Sequence, residues 1–265
     1  MNILVVPAQP PELLKMLAHE LRWQLVSALA YSDRRVQELV ELVERPTNLV
    51  SYHLRQLREH RLVKEHRSAA DARDVYYSLD LEKLRHLYFA AGAALHPTLG
   101  QTEEPSETEA GQADLPPTRI LFLCTQNSAR SQMAEAITRQ MGRGRVEVHS
   151  AGTEPSRVNP YAVRCMEGYG IDISNQGSKH LNEYAGETFD YVITVCDRAR
   201  ESCPVFPGDP ERIHWSFRDP AAVEGTEEEK LRAFNNTARE LTNRIQHLLI
   251  FIDRKQREHE SDARR

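Results

Sequence analysis

The sequence predicts two domains of different fold class, a mainly helical domain followed by an α/β domain with a parallel sheet. A chain of 265 residues has the length of about two domains. The middle stretch, 96–118, holds four prolines, two glycines and five acidic residues but no lysine or arginine. Such a stretch buries too little apolar surface to offset its ordering entropy. We therefore expect four segments: a domain at 1–96, a flexible acidic linker at 97–118, a domain at 119–253 and a charged tail at 254–265.

The composition argues against several classes of protein. The formal net charge is −5, so no global basic field points to nucleic acid. The first residues show no basic stretch before an apolar one, and the chain has no run of 18 apolar residues, so we expect neither a signal peptide nor a membrane span. All four cysteines lie in the second half, too few for a secreted disulfide scaffold. We expect a cytoplasmic protein whose cysteines are catalytic or metal-binding.

The first half has helical periodicity. Residues 10–30 carry leucines at spacings of three and four, which predicts one amphipathic helix. A helix at 46–60 is expected to bury Val50, Leu54 and Leu57. The other predicted elements are a short helix at 35–43, two strands at 61–66 and 75–80 joined by a polar hairpin, and a last amphipathic helix at 81–95. A helix, a helix-turn-helix and a two-stranded wing are typical of a winged-helix domain.

The stretch TNLVSYHLRQLREHRLV, residues 47–63, resembles the recognition helix of the arsR-type (arsenic-repressor) family, and the likeness covers roughly residues 10–95. It implies a homodimer built from the first and last helices, a recognition helix in the major groove of double-stranded DNA, and a wing on the DNA backbone. It also implies a set of DNA-facing side chains: Thr47, Asn48, Ser51, Tyr52, Arg55 and, in the wing, Arg73. Residues 45–73 hold seven basic and three acidic side chains, so the positive charge lies where phosphate contacts need it. The alternative is a helical domain whose surface charges are merely solvated.

One departure from that family concerns sensing. Many of its members bind arsenite or metals through cysteines on the second helix, whereas this chain has no cysteine before Cys124. Trivalent arsenic prefers soft thiolates, so the first domain has no obvious arsenic pocket. Four histidines are conceivable hard-metal ligands, although lone helical histidines are more often surface or capping residues: His53, His60, His66 and His86. We expect no metal site and no cofactor.

The second half alternates strand-like and helix-like segments. The predicted strands are 119–124, 146–152, 189–196 and 212–216, and the predicted helices are 129–142, 159–170 and 227–252. This alternation predicts a four-stranded parallel sheet with right-handed crossovers and helices on both faces. In such folds the functional site lies beyond the carboxyl ends of the strands.

A cysteine ends the first of these strands, and an arginine follows six residues later at the start of a helix. The backbone N–H groups between Cys124 and Arg130 can converge on an oxyanion, and with the helix dipole they are expected to lower the pKa of the thiol. Arg130 can hold two oxygens of a tetrahedral oxyanion. The segment therefore predicts a nucleophile at the floor of an oxyanion cradle. The cradle residues are Thr125, Gln126, Asn127, Ser128, Ala129, Arg130 and Ser131.

The stretch CTQNSARSQMAE resembles the phosphate loop of the low-molecular-weight tyrosine phosphatases and of the thioredoxin-coupled arsenate reductases that share their fold. The likeness runs from Arg119 to about Ile252. Two features favour the reductases: they carry a pair of thiols like Cys196 and Cys203, and the residue after Asp219-Pro220 is an alanine where phosphatases have a tyrosine. In both groups the aspartate at the position of Asp219 is the general acid.

The resemblance implies a three-thiol relay. Cys124 attacks arsenate while Asp219 protonates the departing oxygen, Cys196 then attacks Cys124 and frees arsenite, and Cys203 moves the disulfide outward to thioredoxin. Cys165, in the middle of a predicted helix, is expected to be a core residue. Two alternatives stay open: a phosphatase acting on phosphotyrosine or small aryl phosphates, and a regulator whose reductase domain serves as a redox or arsenic sensor.

Two smaller features concern the surroundings of the loop. Ser131 is expected to hydrogen-bond the thiolate. Some reductases hold a potassium ion beside the loop with Asn, Glu, Ser and Asp side chains. Asn127, Glu135 and Ser150 match that set, but Lys179 occupies the aspartate position. Its ammonium group could replace the ion.

Overall fold

The computed structural model describes residues 9–100 and 116–263, in two compact units. One unit holds residues 9–66 and 75–100, and the other holds 67–74 and 116–263. Residues 101–115 of the expected linker and the last two residues of the expected tail lie outside the described residues. The four segment boundaries drawn from the sequence stay a prediction.

The first unit is mainly helical with a small sheet. Its elements are α1 (Glu12–Leu17), α2 (Glu20–Ala28), β1 (Arg34–Arg35), α3 (Val36–Val43), α4 (Thr47–Glu59), β2 (Val63–Arg67), β3 (Val75–Leu79), α5 (Leu81–Leu95) and a 3-10 turn at Pro97–Gly100. The sheet order is β1-β3-β2, with β1 antiparallel to β3. The sequence did not predict β1, which is only two residues long. Val50, Leu54 and Leu57 are fully buried on α4, as predicted.

The single helix predicted over 10–30 is wrong, because the chain breaks between α1 and α2. His19 has extended backbone, and its Nδ1 caps α2 by accepting a hydrogen bond from Leu21 N at 3.2 Å. Arg22 donates to the carbonyl of Met16 at 2.5 Å, so a carbonyl left free at the end of α1 gains a partner. The leucine spacing continues through the break because Leu13 and Leu21 enter the same core. The leucine periodicity therefore gives no sign of the break between α1 and α2.

The second unit is a four-stranded parallel sheet with helices, as predicted. Its elements are β4 (Thr118–Cys124), α6 (Arg130–Gly142), β5 (Val146–Gly152), α7 (Pro160–Glu167), β6 (Tyr191–Thr194), α8 (Asp197–Glu201), β7 (Glu211–His214), α9 (Glu227–Ala263) and 3-10 turns at Leu181–Tyr184 and Pro220–Ala222. The sheet order is β5-β4-β6-β7. The sequence missed α8, and α9 continues through 254–263, the described part of the expected tail.

This topology brings the expected chemistry to one edge of the sheet. β4 and β6 are neighbours, and Leu123 pairs in register with Thr194. Cys124 follows Leu123, and Cys196 follows Thr194 by two residues. Both thiols therefore lie at the carboxyl end of the central strands. Within the described ranges, no helix has the length and apolar content that a membrane span requires.

Candidate active site

The Cys124 sulfur is buried at the start of a tight loop. The Asn127 N–H donates a hydrogen bond to Cys124 Sγ at 3.0 Å, and Ser131 Oγ lies 2.8 Å from the same sulfur. The predicted contact with Ser131 is therefore confirmed. Asn127 has φ 46°, in the left-handed region that asparagine tolerates better than most residues. This turn aims its N–H at the sulfur.

The Asn127 side chain also stabilises the loop through hydrogen bonds to the residues around it. Its side-chain Nδ2 donates to Ser131 Oγ at 2.9 Å and to Ser150 Oγ at 2.8 Å. Its Oδ1 accepts from Gln132 Nε2 at 3.0 Å and from Lys179 N at 2.8 Å. Because Ser131 Oγ accepts from Asn127, the serine proton is free to point at Cys124. The network therefore holds Ser131 Oγ in position to donate to a Cys124 thiolate.

Gly152, at the end of β5, lets the loop lie against the sheet. A Cβ at this position would meet Thr125 O at 2.5 Å and Asn127 N at 2.8 Å, both backbone atoms. No side chain fits there without moving the loop that carries the thiol. The role of Gly152 was not predicted from the sequence, because the contact depends on the pairing of β4 with β5, although a glycine at the end of a strand was a visible signal.

Arg130 and Asp219 meet at the mouth of the cradle. Arg130 Nη2 lies 3.1 Å from Asp219 Oδ2, and Nη1 donates to the Phe217 carbonyl at 3.0 Å. The Arg130 side chain is 10% exposed and that of Asp219 is 40% exposed, so the carboxylate faces solvent while the guanidinium lies inside. The structure brings the predicted oxyanion ligand and the predicted general acid together.

The other cradle residues complete the loop. Thr125 Oγ1 lies 3.4 Å from Cys196 Sγ, which places Cys196 beside the loop. Ser128 is buried, Gln126 is exposed, and Ala129 is the N-cap residue of α6. Cys203 is partly buried at the far end of α8. All four cysteines are free thiols.

The expected lowering of the Cys124 pKa is wrong for this arrangement. Burial, followed by the neighbouring Cys196, raises the pKa of Cys124, and the effects of Ser131, Arg130 and Asn127 that lower it do not compensate. The physical reason is that a fully enclosed thiolate loses its hydration, which a few donors replace only in part. Burial also raises the pKa of Cys203.

Two further predictions concern residues around the loop. Lys179 Nζ lies 3.5 Å from Glu135 Oε2, and Ser150 Oγ donates to that same oxygen at 2.5 Å. An ammonium group therefore stands beside the buried carboxylate, as the sequence suggested. Cys165 is buried, its Sγ donates to Asn235 Oδ1 at 3.1 Å, and burial raises its pKa to about 11. It is a core residue, as predicted.

The residues expected to face DNA all lie on the surface. The exposed set is Thr47, Asn48, Ser51, Tyr52, Arg55 and Arg73. The Arg55 guanidinium stacks 5.7 Å from the Tyr52 ring centroid. Arg73 pairs with Asp71 at 2.6 Å, and its hydrogen bonds lower the pKa of Asp71 to about 2. Their roles in DNA binding stay a prediction.

Two protein families match this chain. Residues 119–259 match the low molecular weight phosphotyrosine protein phosphatase family, and residues 19–65 match the bacterial regulatory protein, arsR family. An arsenate reductase of Halalkalibacterium halodurans is 45% identical over 126 residues, which are 48% of this chain and 91% of that protein. One from Bacillus subtilis has the same identity and coverage.

Solved structures align with about half of the chain. An arsenate reductase from Archaeoglobus fulgidus aligns with 30% identity and a TM-score of 0.40 over 49% of this chain and 98% of that one. A low molecular weight protein tyrosine phosphatase from T. tengcongensis aligns with 27% identity and a TM-score of 0.42 over 50% and 97%. The family matches and the relatives together show that the chain belongs to the low molecular weight phosphotyrosine protein phosphatase family and carries an arsR-family module ahead of that domain.

Proposed function

We propose that the second unit reduces arsenate to arsenite through three thiols that thioredoxin regenerates, and that the first unit is a DNA-binding regulatory module. The observation that carries the reductase proposal is the placement of Cys196 beside the loop of Cys124, 3.4 Å from Thr125 Oγ1. A hydrolytic phosphatase needs the cradle but no second thiol against it. The named reductases among the relatives support the same reaction.

The first step forms a sulfur–arsenic bond. The Cys124 sulfur attacks arsenic while its thiol proton passes by way of arsenate to Asp219, which gives it to the departing oxygen, and that oxygen leaves as water. Arg130 exchanges its contacts with Asp219 and the Phe217 carbonyl for two arsenate oxygens, so its charge is already in place when the anion enters. The release of Asp219 from this pair leaves its carboxylate free to take up that proton and pass it to the departing oxygen.

The second step transfers the electrons. The Cys196 thiolate attacks the Cys124 sulfur, the sulfur–arsenic bond breaks, and its electron pair stays on arsenic, which leaves as arsenite. A Cys124–Cys196 disulfide remains. Arsenic is reduced by two electrons, and the two thiols are oxidised by two.

The third step moves the disulfide to the surface. Cys203 attacks the Cys196 sulfur and releases Cys124 as thiolate, and the dithiol of thioredoxin then reduces the Cys196–Cys203 disulfide. α8 fills the interval between these cysteines. Five of the six residues between these cysteines are helical, and seven helical steps would advance the chain by roughly 10 Å, whereas a disulfide holds its Cα atoms within about 7 Å. We therefore expect the end of α8 near Cys203 to rearrange in each cycle.

The first unit has the surfaces that the DNA proposal needs. The recognition helix α4 buries its apolar stripe and exposes its polar face. On α5 only Ala91 is buried, while Tyr88 and Leu95 are 64% and 71% exposed. An apolar face of this kind suits the homodimer expected through the first and last helices. Binding of DNA and thioredoxin would place the protein in the cytoplasm.

The test is arsenate-dependent NADPH oxidation by the purified chain with thioredoxin and thioredoxin reductase, run beside hydrolysis of p-nitrophenyl phosphate. We expect turnover of arsenate and at most slow hydrolysis of the ester. Cys124→Ser should abolish both activities because both need the thiolate. Fast ester hydrolysis without arsenate reduction would refute the reductase proposal and support the phosphatase.

A further inference from the structure

A chain of buried polar side chains lies next to Cys196, and the steps above do not use it. Thr194 Oγ1 lies 2.8 Å from His214 Nδ1, and His214 Nε2 lies 3.2 Å from Asp197 Oδ1. Ser216 Oγ donates to the same carboxylate oxygen. Asp197 and His214 are each 4% exposed, which makes them a fully enclosed carboxylate–imidazole pair.

The backbone explains why these side chains meet. Thr194 ends β6, His214 ends β7, and the two residues are paired in register across neighbouring parallel strands. Asp197 is the first residue of α8 and directly follows Cys196. The pair therefore joins the ends of two strands to the residue after the second thiol.

A buried carboxylate is costly unless hydrogen bonds compensate for its lost hydration. Burial alone raises the pKa of Asp197, yet the hydrogen bonds from His214 and Ser216 help to lower it to about 2. The carboxylate is therefore ionised at neutral pH and keeps strong bonds to its partners. Such a bond holds the first residue of α8 in place.

The two ends of α8 differ in burial. Cys196 and Asp197 are buried at its start, whereas Glu201 and Ser202 are exposed at its end and Cys203 is only partly buried. The proposed relay needs this difference in burial, because the Cys196 sulfur must stay near Cys124, whereas Cys203 must move toward Cys196. An anchor at the start of α8 would confine any rearrangement to the end of the helix near Cys203.

We infer that Thr194, His214 and Asp197 form a positioning unit that holds Cys196 for its attack on Cys124. This inference rests on the proposed function. None of the three side chains touches the arsenic, so they are positioning residues that act through Cys196. Their loss should slow the disulfide-forming step and leave the oxyanion cradle intact.

The test isolates that step in a Cys203→Ser background, where the relay stops at the Cys124–Cys196 disulfide. Arsenite release is followed in a single turnover at saturating arsenate, and calorimetric affinity for inorganic phosphate reports on the cradle. His214→Ala should slow release by about 10- to 100-fold, the range expected for a lost hydrogen bond to a charged group. Phosphate affinity should change by less than about twofold.

Two further variants separate positioning from general stability. His214→Gln should recover most of the rate, because its amide Nε2 can donate to Asp197 as the imidazole does. The matched control is His149→Gln, since His149 pairs with Glu147 at 2.7 Å on β5, away from Cys196. This control should keep the parent rate. If His214→Ala fails to fold, Asp197→Asn, which keeps a weaker acceptor, should show an intermediate slowing.

Several results would overturn the inference. One is an unchanged release rate in His214→Ala, and another is an equal loss of release and phosphate affinity, which would indicate general collapse of the domain. A wild-type chain that binds phosphate but never releases arsenite would refute the proposed function, and the positioning role with it. Slow release with intact phosphate binding and rescue by glutamine supports the positioning unit.

Discussion

Replacing Ser131 by alanine should weaken the reactivity of Cys124 by a predictable amount. Ser131 Oγ lies 2.8 Å from Cys124 Sγ and accepts a hydrogen bond from Asn127 Nδ2, and it donates its own proton to the sulfur when Cys124 is a thiolate. A hydrogen bond to a buried charged group contributes about 1.5–3 kcal/mol. Losing that energy should raise the pKa of the thiol further. At neutral pH the thiolate fraction, and with it the first chemical step, should fall about 10- to 100-fold.

The assay is the pH dependence of iodoacetamide alkylation of Cys124, followed by mass spectrometry of the peptide that contains it. Ser131→Ala should shift the midpoint upward, and Ser178→Ala is the matched control because its hydroxyl donates to the Asn127 carbonyl at 2.7 Å and not to the sulfur. The sign follows from the effect of Ser131, which lowers the pKa of Cys124. A midpoint that stays in place or moves downward in Ser131→Ala would refute the reasoning. An equal shift in both variants would show that loop integrity, not the direct bond, sets the pKa.

Three other predictions follow from the proposed function. Cys203→Ser should allow one turnover and stop cycling with thioredoxin, and steady turnover at the wild-type rate would exclude Cys203 from the relay. Potassium should change the activity little, because Lys179 Nζ already lies 3.5 Å from Glu135 Oε2. A saturable activation of the wild type by potassium would contradict this expectation. The Lys179→Ala variant, by contrast, should be activated by potassium. A full-length chain with Cys124, Cys196 and Cys203 replaced by serine should bind its operator with an affinity that falls with salt and does not respond to arsenite. Release by stoichiometric arsenite in an anisotropy titration would reveal a site elsewhere.

The sequence predicted best those features that depend on neighbours along the chain. The strand–loop–helix run from β4 to α6 places Cys124 and Arg130 by local geometry, and the alternating pattern gives the parallel sheet. The break at His19 was hidden, because the leucines on both sides enter one core. Gly152 and His214 act through neighbouring strands, so their roles depend on the pairing of β4 with β5 and of β6 with β7. Their contacts required the folded structure.

The direction of the Cys124 pKa shift shows the same limit. Donors near the thiol can be read from the order of residues, since Asn127 and Ser131 follow within one loop. The depth of burial cannot be read in this way, because it depends on how loops from distant parts of the chain close over the sulfur. The local motif thus indicated the hydrogen bonds that lower the pKa of Cys124 but gave no sign of burial, the larger effect, which raises it.

If the proposed function is right, the position of Cys196 beside the loop sets up a competition for the arsenic adduct of Cys124. Water must diffuse into the site to hydrolyse that adduct, and hydrolysis would return arsenate unchanged. Cys196 is 4% exposed and already stands next to Thr125, so its attack needs no molecule to enter. The product is therefore decided by the rate at which the internal thiol attacks the adduct relative to the rate at which water hydrolyses it. In a family named for its phosphatases, a nearby sulfur that reacts first would be enough to turn a hydrolytic cradle into a reducing one.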